Sequence, residues 1–320
     1  MIKNLTPSRL RSAALVAVAV VWGVTFTVVD GATDRLPAPD LVVWRFGLAA
    51  LVLRLVRRGR SSLPLLLRAR SVLLGVLLGA GFLLQAWALT YTDALRSGFL
   101  TGLLVVLAPV AAWLVFRERL GSATWAGVTL AAAGVGVLGF HAGGFGPGEL
   151  LTLASAAVWG LHLVLMSRWS EAEHAWGVAR VQAAAVAALG GLVLVVRAAR
   201  PGPSTLLVLP TDGATWGSVL FLALVATAGT MVLLSWGQAR VGATRAAVIL
   251  TLEPAVAGLT ATIVGGAVTG RVLVGGVLLL TAMLVVELAG RRGRAAADRS
   301  AGPVEAPRFV APRPLAGGVG

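Results

Sequence analysis

The chain has 320 residues, of which 58% are hydrophobic and only 12% charged. A soluble domain carries about 25% charged residues, so this chain lacks the polar surface to cover itself in water, and lipid must be the solvent for most of it. The absence of cysteine excludes disulfides, thiol catalysis and thiolate metal sites. The net charge of +14 would point to nucleic acid in a soluble protein; here the basic residues gather in alternate loops, and the charge reads as topology.

A membrane-spanning helix needs about 20 apolar residues. Ten candidates follow in order: 12–30, 40–56, 71–90, 96–116, 123–140, 149–168, 175–196, 214–235, 242–264 and 271–290. The first follows Lys3, Arg9 and Arg11, but it is too long for a signal-peptide core and further spans follow it. The second is short and has Arg45 and Arg54 near its ends, where both can reach toward headgroups. The expected architecture is an all-α membrane protein of ten transmembrane helices, because backbone groups left unpaired in lipid are prohibitive.

Loop charge sets the expected orientation. One set of loops holds Arg57, Arg58, Arg60, Arg68 and Arg70, then Arg117 and Arg119, Arg168, Arg240, and Arg291, Arg292 and Arg294. The other holds Asp30, Asp34, Arg35 and Asp40, then Asp93 and Arg96, Glu149, Arg197, Arg200 and Asp212, and Arg271. The first set is the more basic and is expected on the cytoplasmic side with both termini. The boundaries expected are a cytoplasmic N-terminus (1–11), a five-helix unit (12–140), a linker (141–148), a second five-helix unit (149–290) and a disordered cytoplasmic tail (291–320), rich in Ala, Pro, Gly and Arg.

Two halves follow from an internal repeat. WALTYTDALR (87–96) lies over WGQARVGATR (236–245), 149 residues later, and places Arg96 on Arg245. VVWG (20–23) lies over AVWG (157–160), 137 residues later. An odd number of spans in each half makes the halves insert in opposite directions, the inverted-repeat plan of many transporters, with the site near the midplane between them. Pro109 falls on Gly258 rather than on Pro254, one helical turn away.

The ninth span draws attention because Glu253 and Pro254 interrupt a long apolar run. A charge inside the membrane costs roughly 2.5–3.5 kcal/mol on insertion scales, and a proline removes a backbone donor, so a break facing a cavity is expected. Glu253 reads either as a cavity carboxylate that binds an amine or carries a proton, or as a structural acid paired with an arginine or with the chain freed by Pro254. Arg45 reads as a contact for an anionic group, as a partner of Glu253, or as an anchor snorkelling to the outer interface, the last preferred. Trp22 and Trp159, inside their spans, line the cavity or simply pack. His162, Gln85 and Gln182 supply interhelical hydrogen bonds, with titration an alternative for His162. Arg96 and Arg245 are expected as interface anchors. Trp44, Trp87, Trp113, Trp125, Trp216 and Trp236 are read the same way. Glu118 is expected to pair with its neighbours Arg117 and Arg119.

Several motifs together resemble the EamA-type transporters of the drug/metabolite transporter superfamily: VWGVTF in the first helix, TGLLVVLAPVAAWLVFRERL across the fourth, VWGLHLVLMSR in the sixth and ATRAAVILTLEP in the ninth. The resemblance covers about residues 12–290. It implies a carrier in the bacterial inner membrane with a cavity built from helices one to four and six to nine, and helices five and ten outside it, available for a homodimer. It implies a small-molecule substrate, among metabolites, amino acids or drug-like amphiphiles, with export common among relatives. Ala267 and Val268 depart from the acidic–basic pair such proteins carry after the ninth helix. The substrate-cavity candidates are Glu253, Pro254, Pro109, Trp22, Trp159, His162, Arg45, Gln85 and Gln182. No cofactor, metal or nucleic acid is expected, because no Walker, HExxH or GxSxG motif is present and the three histidines (His141, His162, His174) are scattered. The alternative to a secondary transporter is a non-transporting scaffold or sensor on the same fold.

Overall fold

The structure is a computed structural model that describes residues 7–56, 63–139, 146–169, 174–200, 206–238, 249–250, 252–265 and 268–300. Among these residues every regular element is a helix. In chain order they are α1 (Pro7–Thr33), α2 (Ala38–Val56), α3 (Leu65–Ala88), α4 (Ala94–Thr101), α5 (Leu104–Phe116), α6 (Ser122–Gly139), α7 (Pro147–Trp169) and α8 (Ala175–Ala198). Then come α9 (Gly213–Leu220), a π-helical segment (Phe221–Gly229), α10 (Thr230–Gln238), α11 (Leu252–Ile263) and α12 (Gly270–Ser300).

Five helices are long and apolar enough to cross a membrane: Leu10–Thr33, Leu65–Ala88, Pro147–Met166, Trp176–Ala198 and Gly213–Leu234. The pair Ala94–Thr101 and Val106–Phe116, bent by 45°, makes a sixth if it is one span. Ser122–Val137, Leu252–Ile263 and Gly270–Val286 are apolar but shorter. α2 has 19 residues but carries Asp40, Arg45 and Arg54. Large apolar side chains such as Leu51, Leu65, Leu66, Leu73, Leu192 and Leu273 point outward and lie exposed, an apolar surface that only lipid can cover. α12 runs to Ser300, past the expected end at 290. Arg245 and His141 lie outside the described residues, as does the side chain of Trp236.

The fourth span is not one helix. The backbone ladder tightens at the bend, with the Leu103 N–H donating to Leu100 O (3.1 Å) and the Val106 N–H to Leu103 O (2.9 Å). Pro109, inside α5, explains the place: its ring crowds the carbonyl four residues earlier, so strain appears on the N-terminal side of the proline. Gly102 sits at the bend, and a Cβ there would lie 2.5 Å from Pro254 Cγ. Gly98, one turn earlier, faces Ala257 in the same way. In the ninth span residues 249–250 and Leu252–Ile263 are helical, while residues 239–248 and 251, on the N-terminal side of Pro254 where a proline break would fall, lie outside the described residues. No break follows Pro254.

The helices pair closely through small residues. α6 and α12 form the most extensive contact among the described elements, with Gly127 against Val286 and Ala282 and Gly134 against Leu279. α3 packs on α7 and α8, with Gly75 against the Gln182 backbone and Gly79 against Val186. α2 packs on α8 and on the π segment, and α1 on α10 and α11.

Charged side chains meet at two ends of the bundle, and each pair joins loops of the same set. At one end Arg197 binds Asp40 through two hydrogen bonds (2.5 and 3.0 Å), Arg35 meets Asp212 (3.3 Å), and Arg96 meets Glu149 (3.6 Å). At the other, Glu118 pairs with Arg168 from the end of α7. Glu118 therefore does not pair with Arg117 or Arg119 as expected. Residues adjacent along a chain point away from each other, whereas Arg168 is brought alongside by the packing of α5 on α7.

Candidate functional site

One set of polar groups inside the bundle surrounds Arg45 and α1. Arg45 is only 5% exposed, so it does not snorkel to the interface. Its Nε–H donates to the Thr227 hydroxyl (2.8 Å), and its guanidinium carbon lies 4.5 Å from the Phe82 ring centroid and 5.2 Å from that of Phe46. Phe82 in turn stands edge-on to Trp159, with ring centroids 4.8 Å apart. The π segment supplies Thr227. A π turn widens the helix and offers carbonyls and hydroxyls to neighbours, which is why such turns recur at functional sites. Thr227, Phe46 and Phe82 were not anticipated. The signal for Thr227 was a threonine inside the apolar run FLALVATAG, between small residues.

Trp22 reaches the same segment. Its Nε1–H donates to the Ala226 carbonyl (3.3 Å) and to the Thr230 hydroxyl (3.1 Å). The next residue, Gly23, abuts α11: a Cβ there would lie 2.6 Å from Val256 Cβ and 2.8 Å from the carbonyl oxygen of Glu253. A single turn of α1 thus touches both the segment that holds Arg45 and the turn that carries Glu253. Trp159 repeats the arrangement in the second half. Its Nε1–H donates to the Leu78 carbonyl of α3 (3.2 Å), and Gly160 beside it approaches Leu107 and the amide of Ala108, next to Pro109.

Glu253 is half-buried and forms no ion pair among the described residues, so the alternative that pairs it with Arg45 is not seen. His162 and Gln182 are brought together, with the His162 Nε2–H donating to Gln182 Oε1 at 2.7 Å, which ties α7 to α8. Gln85 stands apart from both and donates to the Thr101 hydroxyl (3.4 Å), just before the bend. Trp44 and Trp216 stack edge-on at 5.2 Å, while Trp87, Trp113 and Trp125 are exposed near helix ends as interface anchors should be.

A separate cleft of about 690 Å³ opens at the end where Glu118 meets Arg168. It is lined by Arg54, Leu63, Arg68 and Arg180 among others, and contains none of the candidates named from the sequence. No group of three or more His, Asp or Glu side chains that could hold a metal ion occurs among the described residues.

A helical bundle with an apolar outer surface and an interior of small residues, aromatic rings and a few buried polar groups defines a multi-pass membrane protein. The chain belongs to the EamA-like transporter family, which matches it twice, over residues 12–140 and 146–288. It is 29% identical over 279 residues to an uncharacterized transporter of Archaeoglobus fulgidus, covering 86% of this chain and 84% of that one. A solved crystal structure with 22% identity covers 88% of this chain and 98% of its own, with a TM-score of 0.60, a likeness of fold. The protein is thus a membrane transporter of the drug/metabolite transporter class by family.

Proposed function

We propose that the protein is a secondary transporter that exports small metabolites, amino acids or drug-like amphiphiles by alternating access. In this reading it has ten spans arranged as two inverted five-helix repeats, residues 12–140 and 149–290, in a bacterial inner membrane with both termini cytoplasmic. The observation that carries it is the exchange of contacts between halves. Taking α4 with α5, and α9 with α10, as single spans, the third span packs on the sixth as the eighth packs on the first, and the second on the eighth as the third on the seventh. The first also packs on the ninth as the sixth packs on the fourth. Trp22 and Trp159 make equivalent bonds to the eighth and third spans. A bundle of this pseudo-symmetry has two related arrangements of one frame, which is what alternating access uses. Helices five and ten, paired as α6 and α12, lie outside the cluster around Arg45.

Glu253 is the carboxylate of the site, one-sided because the first half has Ala108 before its proline. Purified protein in liposomes provides the test. Wild type should move at least one amphiphile or amino acid against empty liposomes, and Glu253→Gln should alter the pH dependence or the affinity. Unchanged pH dependence and affinity would remove Glu253 from the site, and the absence of any uptake across amino acids, nucleosides and cationic drugs would favour the scaffold reading.

A further inference from the structure

Among the described residues the buried charges divide into two kinds. Asp40 has Arg197, and Glu149 has Arg96 and the Thr92 hydroxyl. Arg45 has no carboxylate at all. Its one hydrogen bond uses Nε, and the four N–H donors of the two Nη atoms have no acceptor among the described residues. A desolvated cation without a counter-charge is among the most expensive groups a membrane protein can hold, and it persists where function requires it.

The surroundings fix the guanidinium rather than neutralise it. Thr227 ties Nε, and Phe82 lies against the plane. What remains free is the edge with two parallel Nη donors, the geometry that matches a carboxylate or phosphate in a bidentate pair. Phe82, over the guanidinium, and Trp159, edge-on to Phe82, form an aromatic wall suited to a flat apolar body. Arg45 lies five residues along α2 from Asp40, about 7.5 Å at 1.5 Å per residue, beneath the end that the ion pairs of Asp40, Arg35 and Arg96 close.

We propose that Arg45 is the anion-recognition group of the transport site, positioned by Thr227, and that the substrate is an organic oxyanion, a carboxylate on an aromatic or similarly flat apolar body. This rests on the transporter reading above and names the substrate class for it. The fit is specific to the arginine fork. A lysine has no planar fork to stack on Phe82 while donating along its edge.

The test uses the full-length protein in lipid nanodiscs and its thermal unfolding midpoint with matched probes: benzoate against benzamide, phenylalanine against phenylalaninamide, phenyl phosphate, and inorganic phosphate. Ligands that bind the native state raise the midpoint by mass action. Benzoate or phenylalanine should bind wild type at least tenfold more tightly than its amide. Arg45→Gln should erase that preference, and Arg45→Lys should weaken it about tenfold. Thr227→Val, which keeps the charge but releases Nε, should weaken acid binding by about threefold and leave the amides unchanged. A phosphate arm stronger than the carboxylate arm keeps Arg45 as the anion group and replaces carboxylate by phosphate. Acids no better than amides on wild type, or a full acid preference in Arg45→Gln, overturn the proposal; if that variant does not fold, unchanged acid binding in Thr227→Val overturns it. Counterflow with the same probes separates the two readings. Movement of amides and cations with no preference for acids leaves the transporter standing and removes Arg45, whereas acid binding without movement of any probe does the reverse.

Discussion

Replacing Gly23 by alanine puts a methyl group where three atoms already stand: Val256 Cβ at 2.6 Å, Val256 Cγ1 at 2.7 Å and the Glu253 carbonyl oxygen at 2.8 Å. The carbonyl belongs to helix backbone and cannot rotate away, so α1 and α11 must part by several tenths of an ångström. Overpacking of this kind costs typically 1–3 kcal/mol, and the backbone contact argues for the upper half of that range, about 2–3 kcal/mol. Alanine recovers about 0.5–1 kcal/mol of helix propensity, which leaves a net loss of about 1–2 kcal/mol. Gly160 provides the internal control. It holds the matching position, yet a Cβ there meets the Ala108 amide at 3.1 Å and Leu107 at 3.3 and 3.4 Å. The propensity gain then offsets most of the contact, and Gly160→Ala should fall within about 0.5 kcal/mol of wild type. Reversible unfolding in mixed detergent micelles, titrated with dodecyl sulfate, measures both. Equal losses at the two glycines, or a neutral Gly23→Ala, would refute the argument from clearance.

Two further outcomes follow from the charged end. Asp40 is fully buried and accepts from Arg197 twice and from the Val208 N–H (2.6 Å). Removing one partner of a buried pair costs about 3–5 kcal/mol, reduced here because Arg197 is partly solvated, so Asp40→Ala should cost about 2–3 kcal/mol in the same unfolding assay, and Asp40→Asn less. Asp212 caps α9 through the Thr215 N–H and hydroxyl, which hold its carboxyl below the usual value of 3.8. A carboxyl depressed in the folded state stabilises above its unfolded value and loses that contribution as pH falls through the folded one. The stability difference between wild type and Asp212→Asn should therefore be constant from neutral pH down to about 4 and shrink only below it. A difference that instead vanishes between pH 6 and 5 would contradict the capping role.

The helices were legible because hydropathy alone marks a lipid-facing segment, and the repeat was legible because Trp22 and Trp159 keep their neighbours. Partners across the bundle were not. Whether an arginine five residues inside a helix snorkels or stays buried depends on what faces it, and Thr227 lies 182 residues away. The bend in the fourth span was signalled by Pro109 but falls at Gly102 and Leu103, since a proline perturbs the turn before it. The same rule puts any break at Pro254 in the turn before it, which includes residue 251, outside the described residues. His162 and Gln182 were named separately, and only the packing of the sixth and seventh spans shows them to be one hydrogen-bonded unit.

The ion pairs at the two ends of the bundle each join segments distant in the sequence. One end is fastened by Asp40 with Arg197, Arg35 with Asp212, and Arg96 with Glu149, and the other by Glu118 with Arg168 among the described residues. The arginine-lined cleft opens at the end where Glu118 meets Arg168. In the alternating-access reading proposed above, exchanging which end is open parts the Asp40–Arg197 contact, the most buried of the set, so a charge-neutral substitution there is expected to shift the balance of open ends.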